Sequence, residues 1–129
     1  MFPKDIKYAV THEWARVKDN VVEIGITKHA IDALTDLTYF EFILEEGDEV
    51  TKGDIFGEVE SVKTSSSLYC PVSGTIVEVN QDIADNLETL MEDPYGAGWL
   101  IKIEMSDPEE LDAMMDAAGY KAHAESESH

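Results

Sequence analysis

The sequence predicts a mainly-β domain of the sandwich or barrel type, and three observations carry that prediction. Several short segments rich in β-branched and aromatic residues alternate apolar and polar side chains, the period-2 pattern of a half-buried strand. Turn-forming residues separate these segments at short intervals, as in antiparallel folds. The chain has 129 residues, of which 43% are hydrophobic, so it is expected to form one domain over residues 1–129 with a core of its own.

The first half of the chain is predicted to contain one helix between strands. Thr27 is placed to cap a helix over residues 28–34, whose apolar side chains share one face. Strands are predicted around it at 14–17, 21–26 and 37–44. Turns at 18–20, 45–48 and 52–54 separate the strands in this half.

The most informative stretch is 55–79, which predicts a β-hairpin with one lysine near its bend. Residues 55–62 alternate as a strand, and residues 75–79 are β-branched and bounded by turn residues. The small polar residues 64–67 between them suit an exposed turn. Lys63 is therefore predicted to lie near the hairpin tip, presented to solvent.

The C-terminal third is predicted to end in a helix. A helical turn or loop at 81–86, a loop at 93–98 and a strand at 99–105 precede it. Pro108 opens the helix at a favoured first-turn position, with Asp107 as its cap, and Gly119 ends it. The apolar face of this helix comprises Leu111, Met114, Met115 and Ala118. Residues 121–129 are polar and are expected to form a flexible tail.

The net charge and the apolar runs of the sequence limit the classes of partner that we expect. Nine basic against 28 acidic residues give a net charge of −19, which disfavours nucleic acid and anionic membrane surfaces. No stretch has the pattern of a secretory signal, and no apolar run approaches the roughly 20 residues of a membrane helix. We therefore expect a cytoplasmic protein that binds neither nucleic acid nor membrane.

An exposed lysine such as Lys63 is usually only a solvated charge. A reactive amine would need a pKa lowered by burial or by a neighbouring cation, and a turn close to Glu58 and Glu60 provides neither. The remaining hypothesis is that Lys63 is itself a substrate, to which another enzyme attaches a mobile cofactor.

The run from Gly57 to Lys63 (GEVESVK), with Tyr69 and 71–74 (PVSG) after it, resembles the lipoyl-attachment hairpin of the glycine cleavage system H-protein family. The resemblance covers about residues 4 to 120. Further matching segments follow in the family's order, at 8–14, 24–27, 47–50, 78–80, 93–102 and 106–108. The resemblance to this family implies a lipoyl-domain-like β-sandwich (a barrel-sandwich hybrid) with short helices and a C-terminal helix.

The resemblance implies a covalent cofactor carrier rather than an enzyme, with lipoate attached to Lys63. Valine and threonine flank this lysine, where biotin carriers typically have methionines, which favours lipoate. The implied arm takes an aminomethyl group from glycine decarboxylase to the aminomethyltransferase and is reoxidised by dihydrolipoamide dehydrogenase. Recognition of the hairpin by a lipoate-attaching enzyme is assigned to Glu60, Ser61, Val62 and Thr64. We expect the carrier to be a monomer.

One further residue is a candidate for contact with the lipoyl arm, and several positions depart from the sequence pattern of the family. In the family, the glutamate matching Glu13 lies near the loaded arm, although Glu13 could equally be an ordinary surface carboxylate. Ala33 stands where many members have a histidine that helps to shelter the arm, and the strand at 39–46 is one residue longer and lacks the usual proline. These changes leave an alternative open: a related lipoate-binding protein that carries sulfur intermediates to a heterodisulfide-reductase-like complex in sulfur oxidation.

Two further candidate chemistries are weak. Cys70, the single cysteine, stands where the family usually has another residue, and it reads first as a small buried hydrophobe. A thiol enzyme acting through Cys70, or thiol exchange with the arm, is the sharper alternative. No zinc-type spacing is found in the set His12, His29, Cys70, His123 and His129, so no metal site is predicted.

Overall fold

The computed structural model describes residues 3–34 and 36–127, and these residues form two antiparallel β-sheets packed around a common core. The larger sheet has the strand order β1-β2-β3-β9-β8-β5, and the smaller has the order β4-β6-β7. The strands are β1 (Lys7–Tyr8), β2 (Glu13–Lys18), β3 (Val21–Ile26), β4 (Leu37–Phe42), β5 (Glu49–Val50), β6 (Ile55–Ser61), β7 (Ser65–Tyr69), β8 (Gly74–Val79) and β9 (Ile101–Met105). The predicted mainly-β sandwich is confirmed.

The β2–β3 hairpin forms as the sequence predicts. Its strands pair in antiparallel register, and Asp19 adopts φ 57° in the turn between them. Trp14 lies opposite Gly25, and a Cβ atom at position 25 would come within 2.6 Å of the indole ring. Glycine is therefore required there, because the ring of Trp14 lies directly on the backbone of β3.

The lysine-bearing hairpin differs from the prediction in its second strand. β6 pairs with β7, whereas residues 75–79 belong to β8 in the other sheet, between β5 and β9. The serines at 65–67, predicted as a turn, are strand residues. Serine has little strand preference, but β7 is at the edge of its sheet, where Ser65 and Ser66 are exposed. Backbone pairing with β6 and the burial of Leu68 in the core hold these residues in the strand.

Both sheets contribute to the core. Val22, Ile24 and Ile103 of the larger sheet share one cluster of buried side chains with Phe40 and Val59 of the smaller sheet. Burial of each such side chain contributes about 1.5–3 kcal/mol. A second cluster packs on the other face of the larger sheet, and it consists of Ile6, Tyr8, Trp14 and Tyr120.

Short helices complete the fold. They are α1 (Lys28–Leu34), α2 (Leu87–Glu92) and α3 (Ala117–Glu127), with 3₁₀ helices at Gln81–Asp85 and Pro108–Ala113. The helix at 28–34 is confirmed, and Thr27 Oγ1 accepts the N–H of Ala30 as its cap. The strands predicted at 37–44 and 99–105 are shorter in the structure than in the prediction. β4 ends at Phe42, and β9 begins at Ile101.

The predicted C-terminal helix is wrong in its extent. Asp107 caps a helix that opens at Pro108, but this helix is 3₁₀ and ends at Ala113. Met115 then exchanges two backbone hydrogen bonds with Tyr8, which draws the chain into an extended conformation. α3 begins after this bridge, so Gly119 lies within it and residues 121–127 are helical rather than a flexible tail. Residues 128 and 129 lie outside the described part of the chain.

No helix in the described ranges 3–34 and 36–127 is long and apolar enough to cross a membrane.

Candidate functional site

Lys63 lies in the tight turn that joins β6 to β7, as the sequence predicts. Ser61 holds this turn: its N–H donates to the carbonyl of Thr64 at 2.8 Å, and its hydroxyl donates to the same carbonyl at 3.2 Å. The Ser61 hydroxyl also accepts the N–H groups of Lys63 and Thr64. The Ser61 side chain is buried, and its hydrogen bonds hold the backbone of the turn that carries Lys63.

The remaining hairpin residues point outward. Glu60, Lys63 and Thr64 are exposed, and Val62 is 62% exposed although it is apolar. Among the described residues, no carboxylate forms an ion pair with the ammonium of Lys63. The amine is therefore accessible from solvent and is available for chemical modification.

The outer face of the small sheet is acidic beside this turn. In the β4–β6 register, Tyr39 lies opposite Glu60 and Glu41 lies opposite Glu58. All four side chains are exposed. A partner that approaches Lys63 across this face therefore meets carboxylates and one aromatic ring, which favours a basic partner surface.

Of the two alternatives left open for Glu13, the ordinary surface carboxylate is wrong, because its side chain is 0% exposed. Its Oε2 accepts the backbone N–H of Tyr69 at 3.0 Å, and its Oε1 accepts the hydroxyl of Thr11. Burial raises the pKa of Glu13 to about 7, and these hydrogen bonds oppose part of the rise. A carboxyl with this pKa can bind or release a proton near neutral pH.

A tight turn over residues 9–13 places Glu13 against the hairpin. The N–H of Ala9 donates to the carbonyl of Glu13, and the N–H of His12 donates to the carbonyl of Ala9. His12 has φ 79°, a left-handed conformation that is uncommon for a residue other than glycine. The His12 carbonyl accepts the N–H of Thr27, which joins this turn to the start of α1.

A groove of about 360 Å³ lies beside Thr11 and Tyr69. Thr11 and Tyr69 are also the two residues that bond to the carboxylate of Glu13. The groove is lined by Ala9, Val10, Thr11, Lys52, Gly53, Tyr69, Cys70, Pro71, Ala113 and Met114. The groove therefore gives access to the residues in contact with Glu13, although the Glu13 side chain itself is covered.

Cys70 is the small buried hydrophobe that the sequence favours. Its side chain is 1% exposed and belongs to the main core cluster. Burial, with the nearby charges of Asp54 and Glu13, raises the pKa of the thiol to about 12. The thiol is protonated at neutral pH, and exchange chemistry requires a thiolate, so the geometry disfavours a thiol enzyme.

The histidines do not form a metal site in the described residues, 3–34 and 36–127, where no suitable group of His, Cys, Asp or Glu is found. The rings of His29 and His123 nevertheless lie 5.2 and 5.8 Å from that of His12.

Ala33, the position that departs from the family pattern in the sequence, is exposed on α1.

Sequence reasoning missed Thr11, Tyr69 and Tyr120 as neighbours of the Glu13 turn. Thr11 lies within the matched segment 8–14 that identified Glu13, so its proximity to Glu13 could have indicated it. Tyr69 contributes a backbone N–H, which carries no sequence signal. Tyr120 is 108 residues from its partner His12, a contact that only the fold reveals.

Comparison with known proteins agrees with this geometry. The model of the family described as Glycine cleavage H-protein matches residues 6–127. The chain is 50% identical over 123 residues to a protein named Glycine cleavage system H protein from Anaeromyxobacter sp. (strain K), with 95% of each chain covered. It is 49% identical over 120 residues to a protein of the same name from Symbiobacterium thermophilum, with 93% of each covered.

A solved structure is similar as well. The crystal structure of a glycine cleavage system H protein from Mycobacterium marinum superposes with a TM-score of 0.85 at 38% sequence identity. The match covers 94% of this chain and 97% of that one.

Proposed function

The chain belongs to the glycine cleavage H-protein family, and we propose that it is the lipoyl carrier of a glycine cleavage system, with lipoate attached covalently to Lys63. One observation supports Lys63 above all. Its exposed ammonium lies in a turn fixed by Ser61 and has no ion pair among the described residues. An attaching enzyme can therefore reach the amine on a turn whose backbone is held in one conformation.

The turn also suits the modified lysine. Formation of the amide removes the charge of Lys63, as acetylation does, and breaks no ion pair with the described residues. Lipoate supplies a disulfide at the end of a long flexible arm when attached. The rigid two-sheet scaffold holds the base of that arm, and tethering raises the concentration of the reactive end at a partner's active site without tight binding.

We propose the glycine cleavage enzymes as partners, together with a lipoate-attaching enzyme. They comprise glycine decarboxylase, the aminomethyltransferase and dihydrolipoamide dehydrogenase. The acidic face formed by Tyr39, Glu41, Glu58 and Glu60 would orient the carrier toward a basic surface on such a partner. Nothing in the sequence comparisons supports the sulfur-oxidation alternative, and the cytoplasmic location stays a prediction.

Attachment would be recognised at the hairpin by the exposed residues Glu60, Val62 and Thr64. Ser61 would contribute indirectly, because its buried hydroxyl holds the turn. We therefore assign Ser61 an indirect role in recognition, in place of the direct contact predicted from the sequence.

Glu13 and Thr11 are the residues that we assign to the loaded arm. Thr11 is exposed, and its hydroxyl is bonded to the carboxylate of Glu13. The amino group of the cargo, placed against Thr11, would lie close to that carboxylate while Glu13 stays shielded from solvent. An ion pair of this kind is stronger than one in water, because the surroundings are poorly solvated.

The test begins with attachment of lipoate and measurement of the added mass on Lys63. The modified protein is then assayed for glycine–bicarbonate exchange with a glycine decarboxylase. We expect exchange by the wild-type protein and by Lys18→Arg, a control at the exposed end of β2, and none by Lys63→Arg. A fully modified protein that supports no exchange would contradict a role in glycine cleavage.

A further inference from the structure

The hydroxyl of Tyr120 joins two segments that are distant in the sequence. Tyr120 is 0% exposed and stacks on Tyr8, with ring centroids 4.7 Å apart and planes within 9°. Its oxygen lies 2.6 Å from Nδ1 of His12 and 2.7 Å from Oγ1 of Thr27. One oxygen of α3 thus contacts both the 9–13 turn and the residue that caps α1.

The hydrogen-bond directions are mutually consistent. Thr27 Oγ1 accepts the N–H of Ala30, so its own proton is available for the Tyr120 oxygen. The Tyr120 proton is then donated to Nδ1 of a neutral His12. When Nδ1 carries a proton, both directions reverse and both bonds persist, because each hydroxyl can donate or accept.

These bonds bear on the backbone conformation of His12. A non-glycine residue with φ 79° persists only when its surroundings hold it. His12 is held by the side-chain contact with Tyr120 and by the backbone bonds to Ala9 and Thr27. Its two sequence neighbours are Thr11 and Glu13, whose side chains bond to each other, and the Glu13 carboxylate also accepts the N–H of Tyr69.

We propose that Tyr120 is a positioning residue: its hydroxyl holds the 9–13 turn in the conformation that places Thr11 and Glu13 against the lysine hairpin. Where it concerns the loaded arm, this inference rests on the proposed function. The conformation itself does not, because it exists in the unmodified chain. The side chain of Tyr120 thereby connects α3 to the 9–13 turn, and backbone pairing between strands is not needed for this connection.

Tyr8 supplies a matched control. It belongs to the same stack, is equally buried, and donates its hydroxyl to the carbonyl of Pro3. Tyr8→Phe and Tyr120→Phe each delete one buried hydroxyl from one aromatic pair. Only the Tyr120 hydroxyl contacts His12 and Thr27.

The experiment follows amide hydrogen exchange in the protein without lipoate. The N–H of Tyr69 reports on Glu13, and the N–H of Leu100, which donates to the carbonyl of Ile24, reports on general stability. Relative to Leu100, we expect Tyr69 to exchange about tenfold faster in Tyr120→Phe and at the wild-type ratio in Tyr8→Phe. Equal ratios in the two variants would overturn the proposal, since general destabilisation affects both amides.

A second variant covers the case in which Tyr120→Phe does not fold. His12→Asn keeps a residue that tolerates left-handed φ but removes the imidazole. We expect it to accelerate Tyr69 exchange as Tyr120→Phe does, and the double variant to show no further increase, because both changes remove the same bond. An unaltered Tyr69 ratio in His12→Asn would overturn the proposal.

The consequence for the arm is measured separately. The lipoylated protein is loaded with the aminomethyl group by glycine decarboxylase, and the lifetime of the cargo is followed. We expect it to shorten several-fold in Tyr120→Phe and to be unchanged in Tyr8→Phe. An unchanged lifetime in Tyr120→Phe would overturn the connection to the arm, and a failure of loading in all proteins, including the wild type, would count against the proposed function instead.

Discussion

The carboxylate of Glu13 accepts the backbone N–H of Tyr69 at 3.0 Å, and this bond joins the two sheets of the sandwich. Glu13 begins β2 in the larger sheet, and Tyr69 ends β7 in the smaller. A fully buried carboxyl is costly unless it is hydrogen-bonded or protonated. Here it is bonded to Tyr69 and Thr11, and its pKa is raised to about 7.

The first prediction concerns stability between pH 4.5 and pH 7. The folded-state pKa of Glu13 is about 7 against an ordinary value of 4.5, so the folded protein binds this proton more tightly than the unfolded chain. The contribution is fully present below the lower pKa and is lost as pH rises through the higher one. The loss is on the order of 3 kcal/mol. Glu13→Gln should remove this part of the pH dependence of the free energy of unfolding.

Denaturant titrations at several pH values check this. Glu88→Gln, at an exposed position in the first turn of α2, is the control and should leave the pH profile nearly unchanged. A Glu13→Gln profile parallel to that of the wild type would show that Glu13 titrates normally in the folded state.

The second prediction concerns the turn that carries Lys63. Ser61→Ala removes one hydroxyl that makes three hydrogen bonds within the turn. We expect it to cost about 1 kcal/mol of stability and to slow lipoylation several-fold, because the lysine loses its fixed presentation. Initial rates with a lipoate-attaching enzyme provide the measurement. Ser66→Ala, at an exposed strand position, should be lipoylated at the wild-type rate; equal rates for both variants would refute a role for Ser61.

Local patterns predicted much of this fold because strand and helix periodicity depend on neighbouring residues. The β2–β3 hairpin and the helix capped by Thr27 form where the sequence places them. The position of Lys63 was also predictable, since the alternating strand β6 ends just before it, although the bend is shorter than predicted and ends before Ser65.

The errors arose where tertiary pairing overrides local preference. Ser65–Tyr69 is a strand because β6 offers a free backbone edge, although its serines indicate a turn. The helix after Pro108 stops at Ala113, after which Met115 pairs with Tyr8, more than a hundred residues earlier in the chain. The burial of Glu13 has the same origin, because the fold brings the backbone of Tyr69 in β7 onto its carboxylate, a contact that has no local sequence signal.

The third prediction concerns Cys70. Its thiol is buried and its pKa is raised to about 12, so it should react very slowly with a thiol reagent at pH 8 in the folded protein and fully in denaturant. Cys70→Ala should leave arm-dependent exchange intact and cost about 1 kcal/mol of stability, because it leaves a small cavity. Rapid, stoichiometric labelling of the folded protein, or loss of exchange in Cys70→Ala, would restore a chemical role for the thiol.

The last prediction tests the packing of Trp14 on Gly25. A Cβ atom added at position 25 would lie 2.6 Å from the indole, and the ring cannot shift freely because its Nε1 donates to the carbonyl of Pro94 at 3.0 Å. Gly25→Ala should therefore destabilise the protein by about 2 kcal/mol or more and alter the tryptophan fluorescence. Ala15→Gly is the control, because it changes a buried residue next to Trp14 in β2 without adding an atom that could clash with the indole. If Gly25→Ala unfolds no earlier in urea than the wild type, the close packing of Trp14 on β3 is wrong.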